Sequence, residues 1–477
     1  MTPLDENGGR AGPILYMRRL AEGRLELAAL VLRPEGEAPG AFVAEGAEIE
    51  PRALATIGGV TAHRYDFALT ADAAAGYTHD GTAYPVRTAV SGDLRIAFVS
   101  CNGEEHGDLA RDPAERDAMW LRLGERHDEA PFSLLLHGGD QIYADEVTLA
   151  HPATRDWPGG ARQTLSPDQL GEVAGTLRRA YWARYIAAMA RPAFAHLAAR
   201  VPSLAIWDDH DICDGWGSLL RGQERRPLGR TLFTAARDAY LLFQHGTVPG
   251  GLPPGSLDLS GANLGWRVDL PGVSLIAPDL RSERTRRRIM SPAGRAALRA
   301  SLARGVEDRV ILISSVPLLG PRLSLVERAM RLTPWMEKYE DDLRDQWQSY
   351  AHRAEWRRML RQLAALQADG HAVTVLSGEI HLATRGTMET AAGPLHQLVA
   401  SGVAHRAPPR LYADVLGTLA RLGEAPVPEH PIRLHPLPGR RRIYVAERNY
   451  LVLERKAGRW RAAWDLEDGG LTPELPL

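Results

Sequence analysis

Leu204-Ala205-Ile206-Trp207-Asp208-Asp209-His210-Asp211-Ile212-Cys213-Asp214-Gly215-Trp216-Gly217-Ser218 decides how this chain is read. A short apolar run opens into four aspartates and a histidine within seven positions. Carboxylates at that density repel one another unless cations neutralise them. An acidic surface turn is the plain alternative, but Trp207 and Trp216 flank the cluster and tryptophan favours at least partial burial. A buried strand that ends in a buried acidic loop reads as a metal site at a strand tip.

Three more apolar runs end in ligand-type side chains. Ile96-Ala97-Phe98-Val99-Ser100 leads to Cys101, a residue type that on its own is more often a small buried hydrophobe. Leu134-Leu135-Leu136-His137 leads through Gly138-Gly139 to Asp140-Gln141-Ile142-Tyr143-Ala144-Asp145. The paired glycines permit a tight turn with Asp140 aimed beyond it, and one carboxylate can bridge two cations. Tyr143 follows at helical-turn spacing. Asp140 as a helix N-cap is the bland reading, and it is compatible with ligation. Val373-Thr374-Val375-Leu376-Ser377-Gly378 leads to Glu379-Ile380-His381, where alternation puts carboxylate and imidazole on one face. Ligands in open α/β sheets gather beyond the carboxyl ends of the strands, so four such tips can share one crevice.

Outward from these motifs, apolar runs at 95–100, 132–136, 203–206, 273–276, 310–314 and 372–376 alternate with helical patterns. The helical patterns cover 113–127, 168–199, 230–245, 292–304 and 354–368, which predicts a layered α/β domain. Before residue 94 the texture is β-like at 25–32, 63–69 and 84–90, with Gly- and Pro-rich turns between and no acid–base cluster. The tail, 442–465, returns to strands. The expectation is a small N-terminal β-sandwich over 1–93 and a catalytic domain over 94–477. Two units suit 477 residues, since domains usually run to about 100–200.

Composition narrows the classes. Hydrophobic content of 44% and charged content of 24% are those of an ordinary globular protein. A net charge of −2 offers no basic field for nucleic acid or a membrane surface. Cys101 and Cys213 are the only cysteines, which excludes a disulfide scaffold and suits a reducing compartment. Arg18-Arg19 is followed by Glu22, Arg24 and Glu26 rather than an apolar stretch, and no run reaches the roughly 18 apolar residues of a membrane span. A cytoplasmic location is expected, with no membrane span and no nucleic-acid partner. His106 reads as a solvated loop histidine, and Trp216-Gly217 with 221–227 as either a lid or a surface excursion.

Ser100-Cys101, Gly139 to Asp145, Trp207 to Asp211 and Leu376 to His381 together resemble the PhoD-like (alkaline phosphatase D) branch of the calcineurin-like metallophosphoesterases. The likeness runs in order over roughly 94–465. Asp209 to Ser218, and Asp341-Asp342-Leu343-Arg344-Asp345-Gln346-Trp347, are similar to a subgroup of that family. The resemblance implies the four-layer metallophosphoesterase α/β sandwich, preceded by a β-sandwich. It implies that Cys101, Asp140, Tyr143 and His381 hold one metal, ferric iron. Asp140 would bridge to a second, divalent metal (Ca, Mn, Mg or Zn) held also by Asp209 and Glu379. Glu379 stands where many relatives have Asp, and water, substrate, Asp211 or Asp214 are the candidates to complete that second site. His210 would touch the substrate phosphate. Arg281, in Asp279-Leu280-Arg281-Ser282-Glu283-Arg284, would clamp it, the other reading being an arginine-rich solvated loop. The exported members carry a twin-arginine leader that has no counterpart here.

The activity implied is metal-dependent phosphoric ester hydrolysis of a small substrate, a hydroxide on a two-metal site attacking phosphorus. His210 would then stabilise the equatorial oxygens or protonate the leaving group. The alternatives are a phosphodiesterase of phospholipid or nucleotide diesters, and a non-catalytic metal-containing binding protein.

Overall fold

The computed structural model describes residues 8–321 and 345–477. The apolar runs become the parallel centres of two sheets. In the larger, Leu94–Val99, Leu134–His137 and Ser203–Ala205 lie side by side and parallel. Their side chains are buried on both faces, which explains why they read as unbroken apolar runs rather than alternating ones. Asn449–Lys456 and Arg459–Leu466 add antiparallel strands on one flank. In the smaller, seven-stranded sheet, Val273–Ala277, Arg309–Ser314, Ala372–Ser377 and Gly393–Val399 are parallel, flanked by the antiparallel Trp266–Leu270, Thr384–Thr390 and Ile432–His435.

Alternation along the smaller sheet sorts the layers. Ile311, Ile313 and Leu376 enter a core shared with the larger sheet. Val310, Leu312, Val373 and Val375 face the other way, onto Leu298 and Leu302 of the helix Pro292–Ala303 and Trp356, Leu360 and Leu363 of Arg353–Ala368. Pro167–Met189, Pro192–Ala198 and Pro227–His245 pack against strands of the larger sheet. The order helix, sheet, sheet, helix is the four-layer α/β architecture expected.

Where sequence and structure differ, the cause is local. The pattern over 168–199 predicts one helix, yet there are two, because Pro192 cannot donate to the preceding turn and restricts Arg191 to an extended conformation. The first of them starts at a capping box, Ser166 Oγ accepting from the Gln169 N–H at 3.2 Å and Gln169 returning the favour at 2.9 Å.

The front of the chain splits between two sheets. Phe42–Ala44, Ala47–Glu48, Ala74–His79 and Thr82–Arg87 form a four-stranded sheet. Phe42 stacks on Tyr77 at 4.7 Å and on Tyr65, from the opposing sheet, at 4.6 Å. That opposing layer, Ala11–Ala21, Arg24–Pro34, Val60–Thr70 and Arg52–Ile57, is a wing of the larger sheet itself. It is joined by parallel pairing of Tyr16 with Ser203. The division expected at residue 93 therefore coincides with no break in hydrogen bonding.

Candidate metal centre

Because the central strands of each sheet are parallel, their carboxyl ends emerge at one edge, and the two edges meet. Gly378 marks the approach: a Cβ there would lie 2.2 Å from Ser100 Oγ. Gly139, at φ +111°, would press a Cβ to 2.8 Å of Asp208 Cβ. Backbone bonds stitch the loops, from Cys101 N to Gly139 O at 3.1 Å and from Asn102 N to Asp140 O at 2.8 Å.

Cys101, Asp140, Glu379 and His381 all hold left-handed backbone conformations, with φ of 57°, 56°, 66° and 53°. Such conformations cost free energy for non-glycine residues and persist where surrounding structure over-determines them, commonly at functional sites. Asp140, Glu379 and His381 line one crevice, and Cys101 is fully buried beside Asp140. Cys101 Sγ lies 3.5 Å from Asp140 Oδ2 and 3.2 Å from Ser401 Oγ. Tyr143 Oη is 2.9 Å from His381 Nε2. The His381 backbone N–H donates to Ser401 Oγ at 2.9 Å. Four of the residues expected at the first metal are thus brought together as two contacting pairs.

Asp140, Asp208 and Asp209 each offer a carboxylate oxygen, all within 4.8 Å of one another, and Asp209, His210 and Asp214 form a second such group. Asp140 Oδ1 and Asp208 Oδ2 are buried without a hydrogen-bond partner. Buried carboxylate oxygens are rarely left so, and two orphaned oxygens on aspartates of one such group fit a cation. Asp208 was not singled out from the sequence. Glu379 lines the same crevice, its Oε2 accepting from Gln346 Nε2 at 2.7 Å.

The electrostatics agree. Burial, then the Asp140 charge, pushes the Cys101 thiol well above its usual range. Burial and the Asp208 charge do the same to Asp140. Glu379 is pushed up to about 8, chiefly by burial. Burial and the stacked His405 ring, 3.5 Å away, push His381 well below its ordinary value, so it stays a neutral imidazole. A cation relieves this crowding of buried donors. Soft thiolate beside phenolate, carboxylate and imidazole suits a transition metal, and the all-aspartate group suits a harder divalent ion. The residues present fit a two-metal centre.

Asp211 is spent otherwise. Its Oδ2 accepts from Asp140 N and Asp208 N at 2.9 and 3.0 Å, and its Oδ1 from Gln141 N, Ile142 N and Gln244 Nε2 at 3.1, 3.3 and 2.9 Å. Of the two aspartates considered for completing the second site, only Asp214 lines the crevice. His210 lines it too. His210 Nδ1 lies 2.9 Å from Asp145 Oδ2, and the ring stacks on Tyr143 at 4.3 Å. Burial opposes the charge on His210, but Asp145 and Asp209 outweigh it and hold the imidazole protonated.

The phosphate-clamp role expected of Arg281 does not match its position. The side chain is fully buried and its fork faces three carboxylates. Nε bonds Asp208, Nη2 lies 3.2 Å from Asp209 Oδ1 and Nη1 lies 3.1 Å from Asp345 Oδ1. Burial opposes, yet Arg281 holds Asp209 below the usual carboxylate range. His106 is exposed, as expected, and Trp207 and Trp216 are buried. Of the motif 341–347, residues 341–344 lie outside the described residues, while Asp345 and Gln346 line the crevice. That crevice has a volume of about 650 Å³, and Pro158, Leu219, Pro317, Leu319, Leu416 and Tyr444 line it together with the acidic groups.

Known proteins resemble this chain in sequence and in fold. Residues 114–338 match the family model described as PhoD related phosphatase. An uncharacterized protein of Saccharomyces cerevisiae is 23% identical over 65% of this chain. The match spans 53% of that relative, so the chain covers about half its length. The solved structure of PhoD superposes over 100% of this chain and 90% of its own with a TM-score of 0.60 at 12% identity, which shows a shared fold. The family match covers just under half of the chain and the structural match shows the fold, and both agree with the PhoD-like resemblance of the strand-tip motifs.

Proposed function

We propose that the chain is a metal-dependent phosphoric ester hydrolase whose two-metal centre is built from Cys101, Asp140, Tyr143, His381, Asp209 and Glu379, with Asp208 beside them. The observation that carries the reading is the pair of orphaned oxygens, Asp140 Oδ1 and Asp208 Oδ2, among strained strand-tip ligands. Ferric iron suits the Cys101 and Tyr143 side, and a divalent ion suits the aspartates. Two cations bound there supply Lewis-acid charge to the phosphoryl oxygens and acidify a water.

The chain's own residues do the rest. His210, kept cationic by Asp145, presents a protonated imidazole to an equatorial phosphoryl oxygen or to the leaving oxygen. Arg281 positions Asp209 rather than touching substrate. Gln346 fixes the Glu379 carboxylate. Pro158, Leu219, Pro317 and Leu319 add apolar surface to the crevice lining. With a volume of about 650 Å³, the crevice has room for a second, apolar substituent on phosphorus, which favours a diester as the second reading.

Turnover of p-nitrophenyl phosphate and bis-p-nitrophenyl phosphate, measured with elemental analysis before and after chelation, tests both. Activity lost on chelation and restored by metal supports a hydrolase, and the preferred ester separates the readings. An iron-loaded preparation is expected to be purple or brown. Asp140→Ala should abolish turnover with the fold retained. A metal-free, fully active preparation, or an active Asp140→Ala, would refute the centre.

A further inference from the structure

The helix Arg410–Ala420 is turned inside out. Its small residues, Ala413 and Ala420, are buried against a cluster containing Leu382, Leu434 and Tyr444. Leu416 packs partly buried against the same cluster, but other large apolar residues face outward: Leu411 is 75% exposed, Val415 52%, and Leu422, just beyond the helix end, 62%. Positions 411 and 415 are one turn apart on the same face of the helix, and Leu422 follows in the turn after its end, so the exposed apolar side chains are grouped along this element.

Around these residues arginines outnumber the acidic groups Asp414 and Glu447. Arg410 and Arg421 stand at the two ends of the helix, and Arg440, Arg441 and Arg442 border a groove that Arg410 shares. Asp414 is paired with Arg442 at 3.2 Å, and Arg440 donates to Gly469 O. Arg410, Arg421 and Arg441 have no ion pair among the described residues. An arginine at a helix N-terminus opposes the macrodipole, so Arg410 is not there to stabilise the helix. The neutral total of −2 conceals this local cluster.

We propose that the Arg410–Ala420 helix and the 440–442 loop form a docking surface for an anionic lipid bilayer. Exposed apolar side chains with a basic border are the pattern of an interfacial helix, inserting shallowly while arginines meet lipid phosphates. No helix among the described residues is long and apolar enough to cross a membrane, so the surface lies on the bilayer. Leu416 and Tyr444 line the crevice, so docking brings the site's mouth to the lipid surface. The docking stands without catalysis; that the bilayer also supplies an amphiphilic phosphate ester rests on the hydrolase reading.

The test is co-sedimentation of the full chain with phosphatidylcholine vesicles, with and without phosphatidylglycerol. Binding should require the anionic lipid and weaken with salt. Leu411→Asp combined with Val415→Asp should weaken binding by more than about tenfold. Arg410→Ala and Arg441→Ala should each weaken it by about fivefold. Circular dichroism and turnover of a soluble ester should match wild type in all of them, and vesicle binding is read whether or not any ester is hydrolysed. Absence of binding to anionic vesicles, or undiminished binding by the double aspartate variant, overturns the proposal. A wild-type dimer that the double variant dissolves gives this surface to a second copy of the chain and overturns it equally.

Discussion

Asp211 Oδ2 accepts the backbone N–H of Asp140 at 2.9 Å, and the same oxygen accepts the N–H of Asp208 at 3.0 Å. One carboxylate thus fixes two loops from different strand tips, and with them the spacing of the acidic side chains. Burial pushes Asp211 up to about 7 against five donors that favour its ionised form.

Asp211→Asn puts an amide N–H₂ against groups that only donate. A cost of ~3 kcal/mol is expected, since buried donors lose a charged acceptor and gain none. Urea unfolding checks the stability, and elemental analysis should show reduced metal content even in folded protein. Unchanged midpoint and metal content would remove Asp211 from the centre's support.

Asp145 orients His210 through Nδ1 and also accepts the Asp214 N–H at 2.6 Å. Asp145→Asn should lower kcat by about 10–100-fold, the usual cost of losing a residue that orients a functional imidazole. KM should change little, and the alkaline limb of the pH–rate profile should move to lower pH, because the protonated imidazole loses the charge that sustains it. A profile identical to wild type would leave Asp145 a structural residue only.

Arg281→Met takes the guanidinium partner from Asp208 and Asp209, while Asp345 keeps Arg284, whose Nε lies 3.4 Å from its Oδ1. Breaking a buried ion pair by removing one partner costs about 3–5 kcal/mol, so the variant should unfold at much lower urea. Arg281→Lys should recover only part, because an ammonium cannot span three carboxylates as the planar fork does. Full stability of Arg281→Met would contradict the positioning role.

Burial pushes His127 and His137 down to about 4 and His245 to about 3, so all three are neutral in the folded protein near neutrality. In the unfolded chain they titrate near 6.5. Between those values the unfolded state binds more protons, so stability falls as pH drops from about 6.5 toward 4. Each histidine contributes up to about 1.4 kcal/mol per pH unit in that window and nothing above it. Urea midpoints from pH 4 to pH 8 measure the slope; His245→Gln should make it shallower.

Much of the candidate site is legible in the sequence because parallel strands place the residues at their tips directly after an apolar run. Cys101, Asp140, Asp209, Glu379 and His381, the candidate ligands, all follow such runs. What supports them does not. Asp145 meets His210 across 65 positions, and His405 stacks on His381 only because Gly393–Val399 returns beside Ala372–Ser377. Arg281 looked like a phosphate ligand because its carboxylate partners lie 72, 73 and 64 positions away along the chain. The exposed Leu411 and Val415 of Arg410–Ala420 carry no signal in a search for buried faces, because they point away from the cluster that Leu416 packs on. Tyr16 beside Ser203 is a pairing that no local pattern encodes.

That last pairing changes what amputating the front would do. Ala11–Ala21 covers the flank of Ser203–Ala205, the strand that delivers Asp208 and Asp209. Cutting the chain at residue 93 would not free a self-contained unit. It would lay bare a row of unmet amides and carbonyls next to the chemistry, an adhesive rim that recruits other chains into aggregates.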